Sequence, residues 1–285
     1  MKNTGFKIAI LIAITGILVS SILIFMTTLV SPPKDIKTDE EVFSKDIKTE
    51  INDIGSDNLE ESYYKIVDKI NLYASEGMLS DKEENEIKLK FVETYANFFK
   101  SYCFSQFSKS EWNDKEVRDF IPQRVSDLKK IPNSYSELGD TTKSDLSSIM
   151  NVVNNYIDAW NCARKTGFVD DNYHTAISII QQADRYRYTS YISNCSRLQN
   201  ALQNVKSNLS YNHYNYIRTK VYEYYNQYNY DEYKDNYLRG LIANYNNNGS
   251  EVYGNSNIYN TGALYDNLRY IKENYNKKNN NKYSY

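Results

Sequence analysis

Along most of the chain beyond Pro33, apolar side chains recur at steps of three and four residues, the spacing that collects them on one face of a helix. Thr38 and Glu41 match a capping box for a helix carrying Val42, Ile47, Ile51 and Ile54, and Gly55 is placed to end it. The next runs from Leu59 through Tyr63, Ile66, Ile70 and Tyr73 to Gly77. Ser80 and Glu83 match a second capping box and open a longer helix with Ile87, Phe91, Tyr95, Phe98 and Tyr102 on one side, so that the two form a helical hairpin. Trp112, Val117, Phe120 and Ile121 begin a stretch that Pro122 kinks or splits before Val125, Leu128 and Ile131. Leu146, Ile149, Val153, Tyr156, Trp160 and Ala163 mark another helix, ending near Gly167, and Tyr173, Ile177 and Ile180 mark the one after it. Cys195, Leu198, Leu202, Val205 and Leu209 alternate steps of three and four almost as a heptad seam.

The last quarter changes in composition more than in period. Residues 211–285 hold 18 of the 29 tyrosines and many asparagines. Tyr214, Ile217, Val221, Tyr224 and Tyr228 keep helical spacing, as do Tyr237, Leu241 and Tyr245, and then Leu264, Leu268, Ile271 and Tyr275. Between them, 246–260 reads as a flexible connection with Gly249 and Gly254, and 277–285 as a disordered tail. The whole predicts an all-α fold, an irregular multi-helix bundle of roughly eight to ten helices. Its expected parts are an acidic helical subdomain at 38–132, a linker at 133–142 and a Tyr/Asn-rich helical subdomain at 143–276.

The amino-terminal segment departs from this pattern. From Ile8 to Val30 there is no charged residue. About 20 apolar residues at a rise of 1.5 Å span a hydrocarbon core of about 30 Å, whereas the apolar core of a signal peptide needs only about 7–15. The sequence therefore predicts a short tail at 1–7, a single-pass transmembrane anchor at 8–30 and a linker at 31–37, with Pro32 and Pro33 stopping the helix. Lysines flank the span on both sides, so their count does not set its orientation. Long carboxy-terminal domains cross regardless of charge, and the helical part is expected to be extracytoplasmic.

Composition narrows the fold and the chemistry. Ten Gly and four Pro in 285 residues are too few for the turns of a many-stranded β protein. With 34 basic and 36 acidic side chains the net charge is −2, and no nucleic-acid partner is expected. The charge is unevenly spread, roughly −9 over 35–140 and roughly +2 over each of 141–210 and 211–285. Two histidines leave little for metal or nucleophile chemistry. Asp170, Asp171 and His174 form one acid-histidine cluster, read as helix-capping acids rather than a metal site, and no cofactor is expected. Glu60 with Glu61 and Glu83 with Glu84 are paired carboxylates of the kind a hydrolase uses, in positions where first-turn acids stabilise helices. No phosphate loop, nucleophile elbow or zinc-protease helix is present in the sequence. Among Cys103, Cys162 and Cys195, the pair Cys162 and Cys195 is the candidate disulfide, weighed against buried free thiols.

Tyrosine offers a flat apolar face with a hydroxyl, and asparagine offers a donor and an acceptor, so a surface rich in both suits polar ligands and proteins. Tyr214, Tyr224, Tyr228 and Tyr237 are expected in the core, which leaves Tyr216, Tyr222, Tyr230 and Tyr253 as the candidate ligand or partner surface. Three functions follow in order of expectation. The first is a non-catalytic, membrane-anchored interaction or scaffold domain with a protein partner or self-association. The second is a polysaccharide or cell-wall binding module using the Tyr/Asn-rich distal half, and the third is a hydrolase with paired carboxylates.

Overall fold

The computed structural model describes residues 36–165 and 173–282. All regular structure among them is helical, and no strand occurs in the described residues. The α-helices are α1 (Ile36–Asn52), α2 (Leu59–Ser75), α3 (Asp81–Phe107), α4 (Ile121–Lys130), α5 (Asp140–Ala163), α6 (Tyr173–Arg187), α7 (Ser196–Gln203), α8 (Val205–Tyr225), α9 (Glu232–Tyr253) and α10 (Gly262–Lys282). No helix of the described residues is long and apolar enough to cross a membrane. The apolar stretch 8–30 lies outside them, as do Asp170 and Asp171.

The described residues form two compact units, one from 36–95 with 131–133, the other from 96–130 with the described residues after 133. The chain passes from the first unit to the second inside α3 and again between Asn133 and Ser134, at the start of the stretch 133–142, which holds a 3-10 turn at Tyr135–Glu137 and a buried Leu138.

In the first unit α1 packs on α2, burying Ile47 and Ile51 of α1, Ile54 of the turn after it, and Leu59, Tyr63, Ile66 and Ile70 of α2, and Ile87, Phe91 and Tyr95 of α3 are buried with them. Tyr63 lies 5.4 Å from Tyr95 and 6.0 Å from Phe91, ring centre to ring centre. The turn after α2 uses Gly77 at φ 68, where Met78 N–H donates to Tyr73 C=O at 2.8 Å and Gly77 N–H to Ala74 C=O at 3.1 Å. This is the Schellman geometry, and it needs a residue that tolerates the left-handed region. At the start of α3 the Glu83 carboxylate accepts from Ser80 N–H at 3.3 Å and from its hydroxyl at 2.7 Å, the reach-back half of a capping box. Two expectations for α1 fail. Thr38 lies inside the helix and not ahead of it, and Val42 is 58% exposed because it sits about 140° around the helix from Ile47.

In the second unit, α3 buries Phe99, Cys103 and Phe107, continuing the four-residue steps from Tyr95, and not the predicted Phe98 and Tyr102. Pro122 neither breaks nor ends the helix there. A π-helical turn at Glu116–Phe120 precedes it, with Ile121 N–H donating to Glu116 C=O. The wider turn absorbs the missing donor and the steric demand of the proline ring. Helix α5 ends at Ala163, four residues before Gly167, and α6 buries Ala176, Ile180 and Ala183, which leaves Ile177 turned outward. The Cys195 to Leu209 seam is buried throughout, although α7 and α8 divide it at Asn204.

Helices α8, α9 and α10 pack on one another. Tyr211 and Tyr214 meet Tyr259, which precedes α10, while Tyr225 at the end of α8 meets Tyr270, so α8 and α10 run parallel. Helix α9 returns between them, with Asp231 beside Tyr224 and Tyr253 beside His213. Residues 246–253 are not a flexible connection but the last turns of α9, where Gly249 is buried and an added Cβ would meet Ile258 Cδ1 at 2.8 Å. Residues 277–282 are the end of α10 rather than a disordered tail.

Candidate functional site

A cleft of about 720 Å³ lies between the carboxy-terminal end of α8 and the later half of the parallel helix α10. The end of α8 and the turn after it contribute Tyr225, Tyr228 and Asn229. The later half of α10 contributes Tyr270, Asn274 and Tyr275, Lys277, Lys278 and Asn279, over a floor at Ile271. Their spacing on α10 puts Tyr270, Asn274, Lys277 and Lys278 on one face. Tyr225 and Tyr270 lie 5.7 Å apart at 33°, and Tyr225 and Tyr228 lie 6.3 Å apart. At the rim, Tyr230 meets Tyr275 at 5.2 Å and carries Lys272 Nζ 5.9 Å from its ring centre.

Tyr228 is held in an unusual way. Its φ is 51 and its side chain is 75% exposed. A bulky residue in the left-handed region costs about 1–2 kcal/mol relative to glycine, and here no burial of the ring offsets it. The turn keeps this residue because Tyr225 C=O accepts its N–H and because Tyr224 ties the following loop: its hydroxyl accepts from Asp231 N–H at 2.8 Å and donates to Asp231 C=O at 3.0 Å.

The four tyrosines expected at the surface are not brought together. Tyr216 is half-buried under Lys220, and Tyr222 is 40% exposed with Arg218 over its ring. Tyr230 adjoins the groove. Tyr253 is fully buried, because α9 continues to it and places it two turns from Tyr245 on the same face. Of the four expected in the core, Tyr224 is buried and Tyr214 half-buried, whereas Tyr228 and Tyr237 are exposed. Tyr228 lies beyond the helix, where the helical period no longer applies. Tyr237 is one residue, hence about 100°, off the face set by Leu238, Leu241, Ile242 and Tyr245.

Tyr253 belongs instead to a buried polar cluster. His213 Nδ1 lies 3.3 Å from Tyr253 Oη, with the Tyr173 and Tyr245 rings packed around the imidazole. Ser210 donates to Asn257 C=O, and Tyr245 Oη sits 2.7 Å from Ser210 Oγ while accepting from Tyr259 N–H at 3.2 Å. Burial raises the pKa of both Tyr245 and Tyr253, so the hydroxyls stay protonated. The cluster fastens the loop before α10 to α8. Its sequence signal is the four-residue series Leu209, His213, Ile217 and Val221, which puts the histidine on a buried face.

Carboxylates gather elsewhere. A small cleft of about 130 Å³ beside the turn between α1 and α2 is lined by Glu50, Asp53 and Glu61. Glu50 is held by Lys69 at 2.5 Å and Lys65 at 3.3 Å, and Lys69 also reaches Asp46 at 2.8 Å. The volume is below the roughly 300 Å³ at which ligand clefts begin. Glu60 and Glu61 occupy the first turn of α2, Glu83 binds Ser80, and Glu84 pairs with Lys88. No group of three His, Cys, Asp or Glu that could hold a metal ion occurs among the described residues, and His174 is exposed on α6.

All three cysteines are free and buried, so Cys162 and Cys195 are not bridged in this structure. Cys162 Sγ donates to Ile179 C=O at 3.6 Å. Burial raises the pKa of each thiol, which keeps them as small hydrophobic core groups. Compared with known proteins, the chain matches no family model, no curated protein and no solved structure.

Proposed function

We propose that this chain is a non-catalytic glycan-binding module, tethered to a membrane by residues 8–30 and presenting its helical part on the extracytoplasmic side. The observation that carries the reading is the groove between the ends of α8 and α10. Tyr225, Tyr228, Tyr270 and Tyr275 offer ring faces to sugar C–H surfaces, and Asn229, Asn274 and Asn279 offer paired donors and acceptors for hydroxyls. Ile271 is the one aliphatic side chain in the lining. A peptide-binding groove is built mainly of apolar pockets for anchor side chains, which this lining lacks. No carboxylate lines the groove, so the paired acids of glycoside hydrolysis have no counterpart at this site. The strained, exposed Tyr228 fits a residue kept for contact with a ligand. An anchor adds to weak sugar contacts by confining the module to one surface, which raises its effective concentration there.

The test is titration of the full chain, in detergent micelles, with a panel of oligosaccharides followed by calorimetry. The reading expects saturable binding to at least one chain, weakened about tenfold in Tyr270→Ala. Equal affinity in wild type, Tyr225→Ala and Tyr270→Ala, or no binding across the panel, contradicts it. Alkaline carbonate extraction checks the anchor: the full chain stays with the membrane and a variant lacking 8–30 is released.

A further inference from the structure

We infer that the occupant of the groove is an acidic glycan, a chain of uronic-acid sugars whose carboxylates are met by Lys277 and Lys278. This rests on the glycan reading above and narrows it. Both lysines line the groove and no Asp or Glu does. Over residues 270–280 the side chains of α10 include Lys272, Lys277 and Lys278 against the single Glu273, although the chain as a whole is slightly acidic. Lysines near a helix carboxy terminus also serve the helix dipole. That accounts for charge near the end of α10, but not for its placement in the lining of a Tyr/Asn cleft.

The form of the positive charge selects the form of the negative one. Lys277 and Lys278 are neighbouring residues of α10, and each brings a single ammonium point charge on a flexible stem to the cleft. No arginine lines the cleft to grip a phosphate with a guanidinium fork, and no helix amino terminus faces it. The end of α8 brings the opposite sign, roughly half a negative charge. A concentrated dianion is disfavoured there. Single carboxylates carried one to a sugar ring suit single ammonium charges, while the ring faces lie on Tyr225 and Tyr270 and the hydroxyls reach the asparagine amides.

The experiment uses the full chain in micelles with galacturonan, glucuronan and mannuronan oligomers, each as free acid and as its neutral methyl ester. Polyglutamate and a poly(glycerol phosphate) serve as charge without a uronic ring. At low salt, at least one acid form binds about tenfold more tightly than its ester, and the gap closes as salt rises. Lys277→Gln/Lys278→Gln removes the difference in affinity between acid and ester. The circular dichroism and melting of that variant verify its fold. Equal affinity for acid and ester overturns the inference while the glycan reading stands. Polyglutamate or the phosphate polymer binding as tightly as the uronic acids, or no uronic oligomer binding at all, overturns the inference, and the glycan reading falls with it only where the wider oligosaccharide panel fails as well.

Discussion

Tyr224 accepts and donates with a single hydroxyl, closing the turn between α8 and α9 on both sides of Asp231. Tyr224→Phe keeps the ring in the core and orphans a backbone N–H. Such a loss costs about 1–3 kcal/mol, to be read as a lower urea midpoint at unchanged slope. Tyr228, four residues on, behaves in the opposite sense. Asparagine tolerates the left-handed region better than tyrosine, so Tyr228→Asn raises stability by about 1 kcal/mol while ligand affinity falls. A variant that loses both stability and affinity would show that the exposed ring holds the turn instead of serving a ligand. Cys103, Cys162 and Cys195 are buried with raised pKa values, so a water-soluble thiol reagent leaves them unmodified until the chain is unfolded. Rapid labelling under native conditions would contradict their burial.

Between elements, charges act as fasteners whose strength follows pH. The hydrogen bond from Lys69 holds Asp46 below the usual aspartate range, and the Ser80 hydroxyl does the same for Glu83. Burial pushes Asp114 up, but hydrogen bonds from Arg118 and Tyr156 outweigh it and its pKa is also lowered. Groups with depressed folded values contribute stability above their unfolded values of about 3.9 for Asp and 4.3 for Glu. They lose it as pH falls through the lower folded values. The melting temperature therefore drops below about pH 4, and Asp46→Asn makes the drop shallower; an equal drop in the variant would remove Asp46 from the account. The element scale is also where the sequence was most and least legible. The Cys195 to Leu209 seam could be read outright, since every member is apolar and spaced for one face. The end of α9 could not, because Asn246, Asn247, Asn248 and Gly249 are poor helix formers. What keeps them helical is packing that no local pattern reveals: Tyr245 and Tyr253 around His213, and Ile258 against a glycine with no side chain in the way. Faces were misassigned wherever one residue of drift mattered, as at Val42, Ile177 and Tyr237.

For the molecule as a whole, the groove is assembled from residues about 45 positions apart on two parallel helices, a juxtaposition that only the three-helix arrangement creates. Helical spacing placed Tyr224 inside and Tyr222 outside, as the fold has them, and failed for other tyrosines. Tyr228 was assigned inside and Tyr253 outside, and the fold exchanges them. The proposed function puts a sugar chain between α8 and α10, a location that can be measured directly. Hydrogen–deuterium exchange of the full chain, with and without the tightest-binding oligosaccharide, reports which amides the ligand protects. The account predicts protection concentrated at 225–230 and 270–279, absent in Tyr270→Ala at the same ligand concentration. Protection elsewhere with these segments unchanged would contradict it.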